Sequence, residues 1–529
     1  MTIFLSLLLM IMLSVVMVSV FCVKVAADRM MLANAADQSM WSLFARYDRD
    51  LLEKYDVFFI DAGCGENTLN MAGLVDELTD AAEAVLNPAE GQLLPVGNQP
   101  LSVKVDTVAV TSYTLATDNG AYVLADEAMA YMKETALLQS AGALLDYVGD
   151  TAASEAEHAA QIAENAENGA PSDLPEGTED AIASAASGGT ASEAGGDSDT
   201  HGGNLDVGDG GSQNDSAQGA ENVAASGGSS IEAEAGVSAS DVFKSVMSYK
   251  KLRSSSVLNL VCPDPSAVSG KTLKGSALFS ARQAETGMGY ASLENDPSSV
   301  SGRLLLNGYI TAHFGHFGKP EAGPGLDYPL EQILQGKNSD IDNLQAVVNK
   351  ILMIREGINF LYIRQTPALS AQADAAGMVI ATLLLNPELA GAISALIEVG
   401  WAYCESLLDV RTLLAGGKVA VTKSPATWQL GKMTDMITLS FDMDALRKPA
   451  VSGMTYEQYL MLLLNLVSTD TKCLRMADMM EHEIRASGRE NFCIDHCLNA
   501  IGIDMTATAE GKVILTAEKN GSYRDYAKS

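Results

Sequence analysis

From Ile3 to Val23 the chain carries no charged residue, only Leu, Met, Val, Ile, Phe, Ser and Cys. At ~1.5 Å of rise per helical residue, roughly 21 residues reach about 31 Å, the thickness of a bilayer's hydrocarbon core. Everything else in the chain has to fold while joined to this segment. A cleaved signal peptide would open on a basic stretch and hold about 7–15 apolar residues before a small-residue site. Here only Met1 and Thr2 precede a longer run, and Val25-Ala26-Ala27 is a poor cleavage site. A lipoprotein signal ending at Cys22 would need small residues where Val20 and Phe21 stand. Residues 1–27 therefore read as a retained transmembrane anchor. The nearest cations, Lys24 and Arg29, lie on its C-terminal flank beside Asp28, and taken alone they favour a cytoplasmic position for that flank.

Past the anchor, Met30, Met31, Leu32, Trp41, Leu43, Phe44, Leu51 and Leu52 recur near helical spacing, with no Gly or Pro before Gly63. This predicts one helix, or two nearly continuous ones, from the bilayer to about Lys54. Val57 to Ile60 reads as a short buried strand, with a turn at Asp61-Ala62-Gly63. A helix is expected from Thr68 to about Leu86. Val103 and Val105 alternate with polar residues, as do Val108 and Val110, but the parity changes at Asp106-Thr107, as in a strand with a bulge. Asp118-Asn119-Gly120 is a turn signal, and Glu127 to Tyr147 reads as helix. Residues 28–148 thus form a helix plus a small α+β part.

Composition then shifts. Between Tyr147 and Phe243 there is no Phe, Tyr or Trp, and between Lys133 and Lys244 no Lys or Arg. A stretch of Ala, Gly, Ser, Asn and acids cannot bury enough apolar surface to offset its ordering entropy. Residues 149–240 are expected to be a disordered acidic linker or insertion, about 50 Å in root-mean-square span.

Residues 241–529 read as a mainly helical α+β body ending in strands. Cys262-Pro263-Asp264-Pro265 is a rigid turn after the apolar stretch from Ser256 to Val261. Leu304 to Phe314 is expected to be helical, and Leu326 to Leu334 extended. Asp340 is expected to cap a helix that buries Leu344, Val347, Val348, Ile351, Leu352 and Leu361. Leu369 to Leu385 is a second helix. Asn386-Pro387-Glu388 opens a third, which ends at Gly416-Gly417. Glu388, Glu398, Glu405, Asp409 and Arg411 interrupt these apolar helices, so they form a soluble core and do not span a membrane. Tyr456 to about Arg485 reads as helix, and Phe492 to Ala517 as strands with a turn near Glu510-Gly511.

A formal net charge of −33 argues against nucleic acid as a partner, which needs a basic face. It argues equally against a body lying flat on anionic lipid. Seven cysteines in 529 residues are too sparse for a disulfide scaffold. Outside the anchor these are Cys64, Cys262, Cys404, Cys473, Cys493 and Cys497, whose pairing the sequence leaves open. Cys404, in an apolar helical context, is expected to be simply buried.

Several constellations invite chemistry. Gly270-Lys271-Thr272 resembles the end of a phosphate-binding loop, but Pro265 stands where that loop needs Gly. His313-x-x-His316 lacks further ligands and has Gly315 within it. In Cys493-Ile494-Asp495-His496-Cys497 the two thiols would lie about 13 Å apart on a strand. A helix or tight loop would bring them together, with Cys473 or His482 as a further ligand, and disulfide pairing with Cys473 or Cys262 is the better expectation. His482-Glu483 begins a metalloprotease-like string, but Ala486 stands where the second His is required. Asp340 and Asp342 are helix-start residues. No catalytic, cofactor-binding or metal residue is assigned on these grounds.

Five stretches carry a family likeness: Tyr47 to Gly63, Val261 to Thr272, Leu326 to Asp340, Trp401 to Val419 and Met454 to Leu464. In order and content they resemble an uncharacterised Firmicutes family, domain of unknown function 5702, whose members look related to the TadE and TadG pseudopilins of tight-adherence pilus systems. The resemblance implies a pilin-like N-terminal helix and a single-pass protein of the cell membrane with its C-terminal body extracellular. It also implies a non-enzymatic role, without cofactor, among protein partners of a pilus or secretion apparatus. Relatives of this kind carry a short basic stretch before the helix, absent here, which leaves a start upstream of Met1 open. No Glu occurs a few residues into the helix, so prepilin-peptidase cleavage is not expected. The alternative is an anchored binding or adhesin module for a peptide or glycan, using the region from Asp340 to Gly417.

Overall fold

A computed structural model of the protein describes residues 2–86, 103–138, 238–273, 278–289, 293–448, 452–509 and 512–524. In chain order, α1 (Thr2–Phe44) and α2 (Arg49–Tyr55) are followed by β1 (Ile60–Asp61), α3 (Met71–Leu86), β2 (Val103–Leu115) and α4 (Asp118–Leu138). Next come α5 (Ala239–Ser254), α6 (Val257–Val261), α7 (Val300–His313) and α8 (Pro329–Gln335). Then follow α9 (Asp340–Gln365), α10 (Pro367–Leu383), α11 (Ala390–Leu414), α12 (Asp435–Leu439), α13 (Tyr456–Leu466) and α14 (Thr469–Ala486). Strands β3 (Cys497–Ala509) and β4 (Val513–Ser522) close the order. This is a helix-rich α+β chain with one small sheet. The predicted linker lies outside the described residues apart from 238–240. There Ser238 Oγ accepts from the Asp241 N–H and caps α5. The expected helical stretch 139–147 and the turn at Glu510-Gly511 also lie outside them.

The residues form two units, the first assembled from three stretches, 1–143, 270–343 and 463–529. Its sheet is antiparallel, with β3 central between β2 and β4 and with β1 on the first residues of β3. The ladder shifts between Val105 and Thr107, so Val103 and Val105, then Val108 and Val110, all face Ala507, Met505 and their neighbours on one side. That is the parity change visible in the sequence, made by one extra residue, Asp106. α1 and α3 cover this face. Leu32, Ala36, Met40 and Leu43 of α1 and Leu74, Leu78 and Ala82 of α3 join Ile501, Ile503 and Leu515 in one core. The i, i+4 repeat on α3 lays its apolar stripe along the sheet. Asn119, Gly120 and Ala121 adopt left-handed dihedrals, so the turn predicted there is a single reversed turn leading into α4.

The structure corrects several expectations in the body. Leu326 to Leu334 is not extended: Pro329 at the first helical position and Gly336 in the left-handed conformation enclose α8, a start and stop that outweigh the local pattern. Tyr456 to Arg485 is two helices, because Ser468 ends one turn and caps the next through the Thr471 N–H. Strand β3 begins only at Cys497, after a 3-10 turn at Ile494–His496. The cap of α9 is Ser339, whose Oγ accepts from the Asp342 N–H.

The described residues of the second unit are 238–269, 344–448 and 452–462. α10 and α11 pack as an antiparallel-type hairpin around Gly377, where a Cβ would come within 2.2 Å of Ser394 Oγ. Trp401 and Cys404 are fully buried on α11. Leu361, expected in the core of α9, is 41 % exposed. Arg355 and Asn359 occupy buried positions on that helix instead.

Candidate functional site

α1 is the one described helix long and apolar enough to cross a membrane, and its side chains from Ile3 to Val23 are all outward-facing. Ser6, Ser14 and Ser19 return their hydroxyls to carbonyls of their own helix, which removes their need for water. The same helix runs on without a break into the sheet-covering stripe at Leu32 to Leu43. The apolar segment and the sheet-covering segment therefore share one helix.

The 3-10 turn after α14 draws Cys493, Asp495 and His496 together, with ligand-type atoms within 4.8 Å of one another and all three residues buried. Their surroundings decide what this cluster can do. Arg282 donates to Asp495 Oδ1 at 2.5 Å and to both oxygens of Glu481 at 2.6 Å. The Glu285 N–H takes the other oxygen of Asp495 at 3.1 Å. Arg485 Nη2 stands 3.2 Å from Cys493 Sγ, and that thiol donates to Asn67 Oδ1. Burial pushes Asp495 up, but Arg282 and the N–H bond outweigh it and hold the carboxyl below its usual range. Burial raises the Cys493 thiol, so it stays protonated. A metal ion here would face two guanidiniums and displace their partners. The cluster works as an ion-pair knot that ties the 278–285 segment, α14 and β3 together. Cys497 Sγ points to the Cys493 carbonyl, and all seven cysteines are free thiols. The pairing that the sequence leaves open, including that of the Cys493–Cys497 thiols with Cys473 or Cys262, is not formed.

The other sequence candidates are dispersed. His313 Nε2 meets Asp56 Oδ2 at 3.0 Å, and its Nδ1 meets the Tyr309 carbonyl at 3.1 Å. His316 lies beyond the end of α7 and accepts from the Gly318 N–H. Lys271 donates to Gly323 O and Asp327 Oδ1 at 2.9 and 2.6 Å, as a loop strut. Glu483 accepts from the Gly325 N–H and pairs with Lys54. Asp340 is buried and accepts from the Asp327 and Tyr328 N–H groups at 2.9 and 3.1 Å, fastening the loop ahead of its helix.

The buried charges went unmarked by any motif. Arg355 donates twice to Asp409 Oδ2 at 2.9 and 3.0 Å and also to the Ala420 and Val421 carbonyls. Lys423 bridges Glu405 and Asp409 at 2.5 and 2.7 Å. Burial raises both carboxyls. At Asp409 the fields of Lys423 and Arg355 prevail and lower it, whereas Glu405 stays raised. The acids that interrupt α11 are thus compensated inside a buried core. Lys472, fully buried on α14, has Asn307 Oδ1 at 2.7 Å as a partner and is pushed down to about 8 by burial. The available signal was a charged or polar residue set within helical apolar spacing, as at Arg355 and Asn359.

A groove of about 370 Å³ opens over the outer face of the sheet, lined by Ser112, Thr114, Asn499 and Asn520. Arg524 forms one wall, paired to Asp126 and Glu127 at 2.9 and 3.0 Å. Gly502 lets this face close up, since a Cβ there would come within 2.3 Å of Asn520 Oδ1.

No curated protein and no solved structure matches the chain. A family model does, described as "Family of unknown function (DUF5702)", over residues 237–509. That match covers just over half of the 529 residues, and the chain belongs to this family of unknown function, DUF5702.

Proposed function

We propose that the protein is a non-enzymatic, membrane-anchored assembly subunit of the cell envelope. In this reading it is pseudopilin-like, of the TadE and TadG kind, with its body outside the cell and protein partners in a pilus or secretion apparatus. One observation carries the reading: the apolar half of α1 and the half that packs on the antiparallel sheet are one uninterrupted helix. A mere tether has no need of such rigidity, because a flexible linker holds a domain at a membrane equally well. A helix shared between bilayer and fold transmits the position of the membrane segment directly to the body. The clusters described above support a structural role, since most of their polar atoms, His496 Nδ1 and Asn359 Oδ1 excepted, are engaged in holding loops and helices. The test is in-cell crosslinking after Ile3 to Val23 is replaced by an unrelated apolar helix of equal length. Crosslinks to envelope assembly proteins should disappear; crosslinks that persist unchanged would show that the body alone recognises its partners.

The groove over the sheet lies outside the Asp340 to Gly417 region and supports a different second reading, a surface module binding a small polar ligand such as a glycan, because it presents hydroxyl and amide side chains together with Arg524. A glycan-array signal abolished by Asn520→Leu would support it.

A further inference from the structure

α5 buries Val242, Ser245, Ser248 and Leu252 and turns Lys244, Met247, Lys250 and Lys251 outward. The helix holds four cations against a single carboxylate, Asp241 in its first turn. α12 and the turn after it lie alongside. Lys251 Nζ donates to the Ser440 carbonyl at 3.2 Å and sits 5.1 Å from the ring centroid of Phe441. Phe441 is 81 % exposed and Met247 48 %. The nearby carboxylates are largely occupied, Asp444 by Arg411 and Arg447, and Glu356 by Arg253. Asp442, next to Phe441 in sequence, is exposed and its Oδ1 accepts from the Asp444 N–H.

We propose that this face docks on anionic lipid headgroups, with Phe441 and Met247 entering the headgroup layer and the three lysines meeting lipid phosphates. A soluble polyanion would engage the lysines but leave the phenyl ring in water. A membrane interface accepts the apolar groups and the cations together. The overall charge of −33 argues against the whole body lying flat on anionic lipid, but fields are screened over about 8 Å at physiological salt, so a local basic face can still dock. The attraction is set by the face itself. The bilayer is also the one surface that an anchored chain cannot leave, so the inference rests on α1 acting as the anchor.

The experiment uses the full chain reconstituted in phosphatidylcholine vesicles, with and without about 30 % phosphatidylglycerol. Flotation reports the anchor, and amide hydrogen exchange reports the face. Exchange in α5 and the Ser440–Asp442 turn should slow on the order of tenfold in the anionic vesicles, and recover at about 1 M NaCl. Lys244→Glu with Lys250→Glu and Lys251→Glu should abolish the slowing, as should Phe441→Ser, which leaves every cation in place. Equal exchange in both vesicles overturns the proposal while flotation keeps the anchor. Salt-sensitive protection that is equal in both vesicles also overturns it, since an acidic segment of the chain itself would then be the occupant. Flotation with anionic vesicles alone removes the anchor and keeps the docking face; flotation with neither removes both.

Discussion

Replacing Lys472 with Met tests how the buried charge on α14 is tolerated. The amine is fully buried and its pKa is pushed down from 10.5 to about 8 by loss of water. At about 1.36 kcal/mol per pH unit, that drop corresponds to about 3 kcal/mol. The sign follows from proton counting. Between about pH 8 and 10.5 the unfolded chain binds more protons at this site than the folded chain, so stability rises with pH there. Above that window both states are neutral and the penalty is gone; below it both are charged and the full penalty is present. Lys472→Met removes the charge and also leaves Asn307 Oδ1 without this donor, a loss of about 1–3 kcal/mol. The variant should therefore be near wild type or slightly more stable at pH 7, and clearly less stable at about pH 10.5. The assay is urea unfolding of the full chain in detergent, followed by Trp41 with Trp401 and Trp428 replaced by Phe. Trp41 lies in the same unit as Lys472. Other titrations cancel in the difference between variant and parent. If that difference changes by less than about 1 kcal/mol across the window, the lysine is not paying a burial penalty and the reasoning fails.

Asp409→Asn should destabilise the second unit by about 3–5 kcal/mol, because Arg355 and Lys423 remain buried beside a neutral amide; urea unfolding followed by Trp401 and Trp428 reads this. Since Asp409 is held below its usual pKa, its contribution is present above the unfolded value near 4 and should fall away as the medium is acidified below it. A pH series on parent and variant should converge in acid. Asp340→Ala, which strips a buried and a part-buried N–H group of their acceptor, should cost about 2 kcal/mol, against about 1 kcal/mol for Ser339→Ala at the cap; equal losses in urea melts would contradict the assignment of the cap to Ser339. Leu13→Arg, at mid-span, should oppose insertion by about 2.5–3.5 kcal/mol and reduce the carbonate-resistant membrane fraction.

Much of the local structure was legible because its causes are local. The bulge at Asp106 announces itself through alternation that changes parity, since a strand's period of two leaves no other way to keep valines on one face. Asp118-Asn119-Gly120 and Gly416-Gly417 mark turns because few residues tolerate left-handed dihedrals. The Leu326 to Leu334 segment reads as extended because α8 is short, and its Pro329 start and Gly336 stop count for more than its seven residues of pattern. For Cys493 to Cys497, spacing alone leaves strand, helix and loop equally open. Which atoms converge there depends on a 3-10 turn and on Arg282, over two hundred residues earlier in the chain.

Ile3 to Val23 shows the boundary between the two kinds of information. That the segment can span a bilayer follows from its length and lack of charge, quantities that belong to the run of residues alone. That its helix continues into the core of a sheet could be read only once β2, β3 and β4 were brought together from opposite ends of the chain. The same holds for Arg355 with Asp409 and for Lys251 with Phe441. Helix caps, turns and periodicity act over a few residues and leave their mark in order. Ion pairing and burial depend on distance in space, which residue order does not encode.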